Sequence, residues 1–350
     1  MKQKIKNLVS KKARQESQDA AQDGLPRITN ETVAEHREEV LSSARKYIYP
    51  LQHSKHKIVL ITTSLFIAAI VFFFSFTTFS LYKLKSHSAF LYGVTQVLPF
   101  PIAKANGNYV AYENYLFELK HYIHYYQNQQ KLDFKSESGK QQLAEFKKRA
   151  LDKVINDAYI KQLAKDNKVS VSDKEVNTEI QIVRTQNRLG GSDKVFEDVL
   201  KEYWGWSLND FKRSLKQQIL AQKLLPVLDP ATSARAAAAR AELSSGADFA
   251  TTAKKYSDDV STKDAGGEFG FPIDKANRDI AAQTTAVLFK LKAGEVSEVI
   301  NAGYSLEIVK NIEVQGDKVR AAHILFNFKD INTYINDLKD KKKTSLYIKL

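Results

Sequence analysis

Between Ile58 and Tyr82 the chain runs for 25 positions without a charge, and lysines flank the run on both sides. As a helix such a run is about 37 Å long, against a hydrocarbon core of about 30 Å. A buried soluble helix normally keeps one polar face toward water, so the pattern predicts a membrane span over 58–82. Ahead of it, residues 1–29 are polar, mixed in charge and interrupted by Gly24 and Pro26, a composition that predicts disorder. Asn30 is the expected cap of a short helix reaching about Tyr47, with Val33, Val40, Leu41 and Ala44 on one side and Pro50 beyond its end.

After the span the pattern becomes that of a water-exposed protein. Residues 83–101 read as a tether ending at Pro99 and Pro101, and 102–111 as a short strand with a turn at Asn106-Gly107. Helices are predicted over about 112–129, rich in aromatics, and over about 138–165, where Leu143, Phe146, Ala150, Val154, Ile155, Ala158 and Leu163 recur near a 3.6-residue repeat. Ser172 with Glu175 is a capping box opening a third helix. Gly190-Gly191 marks a turn before a short helix carrying Val195, Phe196, Val199 and Leu200. Ser207 with Asp210 caps a further helix to Leu225, which Pro226 is expected to stop. The alanine-rich stretch 231–243 is a strong helix former, with Gly246 as its stop.

Charge sets the expected topology. Arg45, Lys46, Lys55 and Lys57 precede the span, whereas only Lys83 and Lys85 follow it closely. The positive-inside bias then keeps residues 1–57 in the cytoplasm and exports 83–350. A cleaved signal peptide has a shorter charged lead, an apolar region of about 7 to 15 residues and a small-residue cleavage site, so an uncleaved signal anchor is expected. The tail holds 12 Lys+Arg against 7 Asp+Glu, and the rest of the chain carries the other eight units of a net charge of +13. No nucleic-acid motif accompanies that charge, and anionic lipid or cell wall is an equally good electrostatic partner. The absence of cysteine excludes disulfide scaffolds, thiol catalysis and cysteine-ligated metals.

Four segments in order carry a family resemblance: Asn106-Gly107 entering a helix, Ala150 to Ala164, Val169 to Val176, and Trp206 to Leu215. Together they resemble the N-terminal chaperone domain of SurA/PrsA-type proteins, over about residues 100–225. The resemblance implies an all-helical domain that cradles unfolded polypeptides.

A second resemblance follows. Gly246-Ala-Asp-Phe249, Ala253 to Asp259, Gly266-Gly-Glu-Phe-Gly-Phe271 and Leu291 to Val299 occur in the order found in parvulin-type peptidyl-prolyl isomerases. That family implies a four-stranded antiparallel sheet with helices. A typical parvulin opens with a strand bearing a His-Ile-Leu triplet, but here that position holds Leu224 to Asp229, without histidine. The second family histidine falls where this chain has Gly303 to Ile308. Asp259 matches the family's Asp or Cys and Phe269 one of the apolar positions around the proline ring. The other apolar positions fall near Asn277 and Ala281 or Thr284.

The triplet appears later, as His323-Ile-Leu325 within Lys318 to Phe326. Only 24 residues follow, too few for a second parvulin copy. A hairpin at Gln315-Gly316-Asp317 returns 318–328 beside 304–313 and fills the first-strand position from the other end, a circular permutation favoured by closely spaced termini. That arrangement brings His323 near Asp259. A lone strand histidine also serves structurally, and the sequence leaves both readings open. Residues 330–350 read as a charged helix and a final strand, 345–350, pairing with about 102–111.

The expected fold class is therefore α+β: one transmembrane helix, a SurA-like all-helical domain over 102–228, a parvulin-like domain over 229–328 and a C-terminal return over 329–350. The resemblance implies catalytic roles for His323 and Asp259 and peptide contacts for Phe269, Phe271 and Phe289. It implies no metal and no cofactor. The expected partners are unfolded or newly exported polypeptides and the membrane, with no nucleic acid.

The leading function is a membrane-anchored extracytoplasmic foldase or chaperone, with weak peptidyl-prolyl isomerase activity or none. The layout also resembles PpiD-type anchored chaperones, some of which are inactive, so a holdase or scaffold is one alternative and a cell-envelope structural protein another. Among weaker signals, His121 and His124 share a helix face, but lack a third ligand and are expected to face solvent. Trp204 and Trp206 with Tyr203 are either core or part of a client groove, with core favoured because helix-spaced aromatics usually pack inward. Gly266-Gly267 and Gly190-Gly191 are turns without a P-loop pattern.

Overall fold

Thr29 begins the described chain and caps its first helix. The computed structural model describes residues 29–48, 50–186, 192–341 and 344–350. The expected disordered tail over 1–28 and the turn at Gly190-Gly191 lie outside these residues. Helix α1 spans Asn30–Ile48, and the side chain of Thr29, not Asn30, accepts the Thr32 N–H at 3.2 Å. The cap sits one residue earlier because Thr32 Oγ1 also accepts the Thr29 N–H at 2.8 Å, a reciprocal pair that Asn30 cannot form from inside the helix. Helix α2, Pro50–Tyr82, starts on the proline, whose missing N–H costs nothing in a first turn. Within it His56–Tyr82 is, among the described residues, the one helical stretch long and apolar enough to cross a membrane.

The chain divides into two compact units, residues 1–78 and 79–350. In the second unit, α3 (Ala89–Val97) occupies the stretch expected as a tether. Ser88 caps it by accepting the Leu91 N–H, and Leu91 and Thr95 turn inward one helical turn apart. Strand β1 (Pro101–Ala105) and β2 (Asn108–Ala111) form a hairpin through Asn106 and Gly107, at φ +46° and +83°. Two positive φ values make the turn whose twist matches the strands.

Helices α4 (Tyr112–Asn128), α5 (Glu137–Asp166), α6 (Asp173–Gln186), α7 (Asp193–Trp204) and α8 (Leu208–Leu228) follow. The Ser172–Glu175 and Ser207–Asp210 boxes open α6 and α8. Pro226 does not stop α8, which runs to Leu228; Asp229 N–H still reaches the Leu225 carbonyl at 2.8 Å. One missing donor so near a helix end removes a single bond and the turn survives. Tyr112, Leu119, Ala150, Val154, Tyr159 and Leu224 fill the core of this domain.

Asp229 then caps α9 (Pro230–Ser244), again with proline first, and Asp248 caps α10 (Phe249–Tyr256). After the long segment 257–281, which holds a 3-10 turn at Lys263–Ala265, come α11 (Ala282–Leu288), β3 (Ile300–Asn301), β4 (Ser305–Gln315) and β5 (Lys318–Asn327). The sheet order is β3-β4-β5, all antiparallel. A two-residue turn with Gly316 at φ +64° folds β5 onto β4, with Val309 opposite His323. No regular fourth strand is present among the described residues. Isolated bridges from Glu268 to Ala322 and from Ile273 to Val319 cover the free edge of β5 instead.

Alternation divides the sheet into two faces. Leu306, Ile308, Ala322, Ile324 and Phe326 pack beneath α9 and α10. Val309, Val319 and Ala321 face Ile273, Ile280 and Leu288 on the other side. Helix α12 (Ile331–Lys341) returns to the first domain, burying Ile335 in its core, and β6 (Ser345–Leu346) pairs antiparallel with β1.

Candidate active site

The loop after α10 is fastened to β5 before it delivers its carboxylate. Ser257 Oγ accepts the Leu325 N–H at 3.1 Å, and Asp258 N–H donates to the Leu325 carbonyl at 2.8 Å. Asp258 Oδ2 accepts the Asn327 N–H at 2.9 Å. Held this way, Asp259 Oδ2 lies 2.9 Å from His323 Nε2, across 64 residues of sequence. Thr262 Oγ1 donates to the same carboxylate oxygen at 2.6 Å and stands 3.1 Å from His323 Nε2. Ser261 binds Oδ1 through both its N–H, at 3.0 Å, and its hydroxyl, at 2.6 Å.

These bonds decide protonation. Burial alone would raise the Asp259 pKa, but hydrogen bonds from Ser261, Thr262 and His323 outweigh it and hold the carboxyl well below the usual range. An ionised Asp259 only accepts, so His323 Nε2 carries a hydrogen. In the neutral imidazole Nδ1 then has a free lone pair, and it is buried without a protein partner among the described residues.

Backbone geometry locks the ring. His323 N–H donates to the Gly267 carbonyl at 2.8 Å, and a Cβ on Gly267 would come within 2.2 Å of the His323 carbonyl oxygen. The Phe269 ring centroid lies 4.2 Å from that of His323, forming an apolar wall beside it. Phe271 stands 6.2 Å from Phe269 and is exposed. Phe289 is not part of this cluster. It belongs to the core under α11, and Lys275 Nζ sits 5.5 Å over its ring.

One polar residue that pattern reading missed lies on this face of the sheet. Glu307 is buried and its Oε2 accepts the Thr284 hydroxyl at 2.7 Å. Burial pushes its pKa up, the Thr284 bond and His323 pull it partly back, and Asp259 adds to the rise. The signal was present: Glu307, Val309 and Asn311 alternate along β4, so an acid sits at an inward position. Asn277 also departs from an apolar wall, since its side-chain oxygen accepts the Asp279 and Ile280 N–H groups.

The histidines expected to face solvent do not do so. His121 stacks on Trp206 at 4.5 Å and packs against Trp204 at 4.9 Å, and burial lowers its pKa to about 4. His124 Nε2 lies 2.9 Å from the Glu202 carbonyl and Nδ1 lies 3.1 Å from Asn128 Nδ2. Both rings close the gap between α4 and the end of α7, a long-range contact that helix spacing does not reveal. Among the described residues no three His, Cys, Asp or Glu side chains converge as metal ligands.

Comparison with known proteins now bears on this geometry. The SurA-like N-terminal domain model matches residues 51–225, half of the chain. The chain belongs to the SurA-like N-terminal domain family. Behind its SurA-like part, residues 228–313 match the PPIC-type PPIASE domain, a rotamase. That match ends before β5, so the strand carrying His323 lies outside it. The foldase protein PrsA of Caldanaerobacter subterraneus subsp. tengcongensis is 28% identical over 193 residues, covering 49% of this chain and 59% of that protein. PrsA of Bacillus subtilis is 30% identical over 179 residues, covering 43% and 56%. The matched part of the SurA-like chain thus spans less than two thirds of either relative. The crystal structure of peptidylprolyl isomerase PrsA from Bacillus anthracis is 21% identical, covers 55% of this chain and 86% of that one, and superposes with a TM-score of 0.18.

Proposed function

We propose that this chain is a membrane-anchored extracytoplasmic foldase that holds unfolded exported polypeptides and rotates their X–Pro bonds weakly. In this reading 1–57 is cytoplasmic, 58–82 is the anchor, and the SurA-like and rotamase domains work outside, as the excess of lysine and arginine before the apolar helix favours. The observation that carries the isomerase part is the 2.9 Å contact between His323 and Asp259 beside the Phe269 ring.

The chemistry asked of these groups is modest. Amide resonance sets a barrier of about 18–20 kcal/mol to rotation. A thousand-fold acceleration needs only about 4 kcal/mol of it removed. No covalent step is involved. Phe269 offers the proline ring an apolar surface, and Asp259 with Thr262 fixes the imidazole of His323 as the polar group beside it. The test is isomerisation of a proline-containing tetrapeptide by the full chain in detergent, followed by coupled proteolysis. Catalysis that falls at least tenfold in His323→Ala supports the assignment; catalysis untouched by it sinks the histidine's role.

A second reading, a holdase without isomerase activity, is favoured by the polar floor. Thr284 is bound to the buried Glu307, and Asn277 caps a turn where an apolar wall is needed. Suppression of client aggregation with no tetrapeptide isomerisation selects it. Absence of both activities favours a structural role in the envelope.

A further inference from the structure

The chain leaves the apolar helix without slack. The Lys83 and Leu84 N–H groups both donate to the Phe79 carbonyl, at 2.9 and 3.1 Å, and Ser86 N–H returns to the Ser80 carbonyl at 3.0 Å. Lys85 takes a φ of +50° within this loop. The last turn of α2, from Phe79, belongs to the second unit, and Leu81 is buried in its core. Tyr112 Oη donates to the Leu81 carbonyl at 2.7 Å, and Tyr82 Oη to that of Pro101 at 2.5 Å. The end of the helix is thus a structural part of the domain that follows.

That attachment fixes the depth of α3. The apolar run 58–82 is about 7 Å longer than a hydrocarbon core, so in the anchor reading Tyr82 ends among lipid headgroups. From Ser86, held at the last turn, two residues lead to Ser88, the cap of α3, a reach of at most about 7 Å.

Helix α3 has two apolar faces. Leu91 and Thr95 turn inward. Phe90, Gly93, Val94 and Val97 follow the i, i+3, i+4, i+7 spacing of a second stripe. Phe90 is 57% exposed and Val97 81%, and a Cβ on Gly93 would meet nothing within 4 Å. Leu84, in the loop before the helix, is 61% exposed. Residues 83–101 carry Lys83 and Lys85 and no Asp or Glu. Lys147 of α5 joins them, its Nζ donating to the Lys85 carbonyl at 3.3 Å. Burial and the Lys85 charge lower the Lys147 pKa, and among the described residues none of the three lysines has a carboxylate partner.

These observations choose what covers the stripe. A stable protein interface takes about 20–30 residues a side, and four positions on a nine-residue helix fall far short of a second copy's needs. An unfolded polypeptide has no constant negative charge for three unpaired lysines to match. A bilayer surface offers an apolar boundary to the stripe and phosphates to the lysines, at the depth where the anchor delivers both.

We propose that α3 is an interfacial helix, whose Phe90–Val97 stripe lies on the acyl boundary while Lys83, Lys85 and Lys147 hold the headgroups of anionic lipid. The proposal rests on the anchor reading and adds that the SurA-like domain is held down on the membrane.

The chain has no cysteine, so a single introduced one is labelled specifically. Val97→Cys carries an environment-sensitive fluorophore, and the full chain is reconstituted in phosphatidylglycerol vesicles with a nitroxide on a fraction of the headgroups. Phe90→Cys is a second position, and Val314→Cys, 54% exposed in the rotamase domain, is the control. Matched thermal unfolding confirms that the variants fold. Labels at 97 and 90 are expected to be quenched at least three-fold more than the label at 314. Lys83→Gln is expected to lower the docked-to-free ratio about five-fold, the worth of one lysine at an anionic surface. A chain that alkaline carbonate strips from the vesicles overturns the anchor reading itself. A retained chain with labels at 97 and 90 quenched no more than at 314 overturns the docking alone. Equal quenching in phosphatidylcholine vesicles overturns the role of the lysines. Quenching relieved by carboxymethylated ribonuclease A, an unfolded polypeptide, or by raising the density of the chain in the vesicles, overturns lipid as the occupant.

Discussion

Gly267 and His323 touch backbone to backbone, with 2.8 Å between the histidine N–H and the glycine carbonyl. Gly267 also sits at φ +81°, where side chains are strained. Gly267→Ala is expected to cost about 3 kcal/mol or more, since strain and a backbone clash add. Gly316→Ala has open space around it and only its φ of +64° to bear, at about 1 kcal/mol. Thermal unfolding of the two variants checks this, and equal losses would contradict the contact.

Asp259 and Glu307 should respond oppositely to acid. The folded pKa of Asp259 is depressed, so its stabilisation is complete above the unfolded value of about 3.9 and is lost as pH falls below that. Asp259→Asn should therefore destabilise most at neutral pH, and the gap should narrow in acid. The folded pKa of Glu307 is raised, so its ionisation penalises the native state at neutral pH, and the penalty is gone below about pH 4.3. Glu307→Gln is expected to stabilise at pH 7 and to match the parent near pH 4. Denaturant titrations across pH 3–8 check both signs; a gain that persists in acid would contradict the Glu307 account.

Ile335 is fully buried where α12 meets the core of the SurA-like domain. Ile335→Ala should cost about 2–5 kcal/mol. Leu346→Ala, half exposed on β6, should stay within about 0.5 kcal/mol. The comparison is read by chemical denaturation, and a small loss at Ile335 would mean that α12 is not part of that core.

The SurA-like helices were legible because capping boxes and apolar repeats are local signals. Ser172 and Ser207 announce the helices they cap without reference to distant residues. The approach of His323 to Asp259 was legible for a different reason. A glycine turn at 316 between two apolar strands leaves one register, and that register faces the loop after α10. Thr262 was not legible, because a polar side chain is identified by its partners; Glu307 was legible only as an inward position on β4, since its bond to Thr284 joins two separate elements. His121 was misread for the same reason: its partners Trp204 and Trp206 lie beyond two intervening helices. The stretch holding α3 was misread because its prolines, Pro99 and Pro101, follow the helix and coloured the reading of what precedes them.

The antiparallel contact of β6 with β1 has a bearing on synthesis. A ribosome releases β1 early, yet the strand that covers its edge comes out much later, shortly after the strand bearing His323. A nascent chain therefore carries an open edge and an incomplete sheet until translation has passed Leu346. Premature termination anywhere before that point would yield a product lacking the covered edge, and earlier termination one lacking the histidine as well.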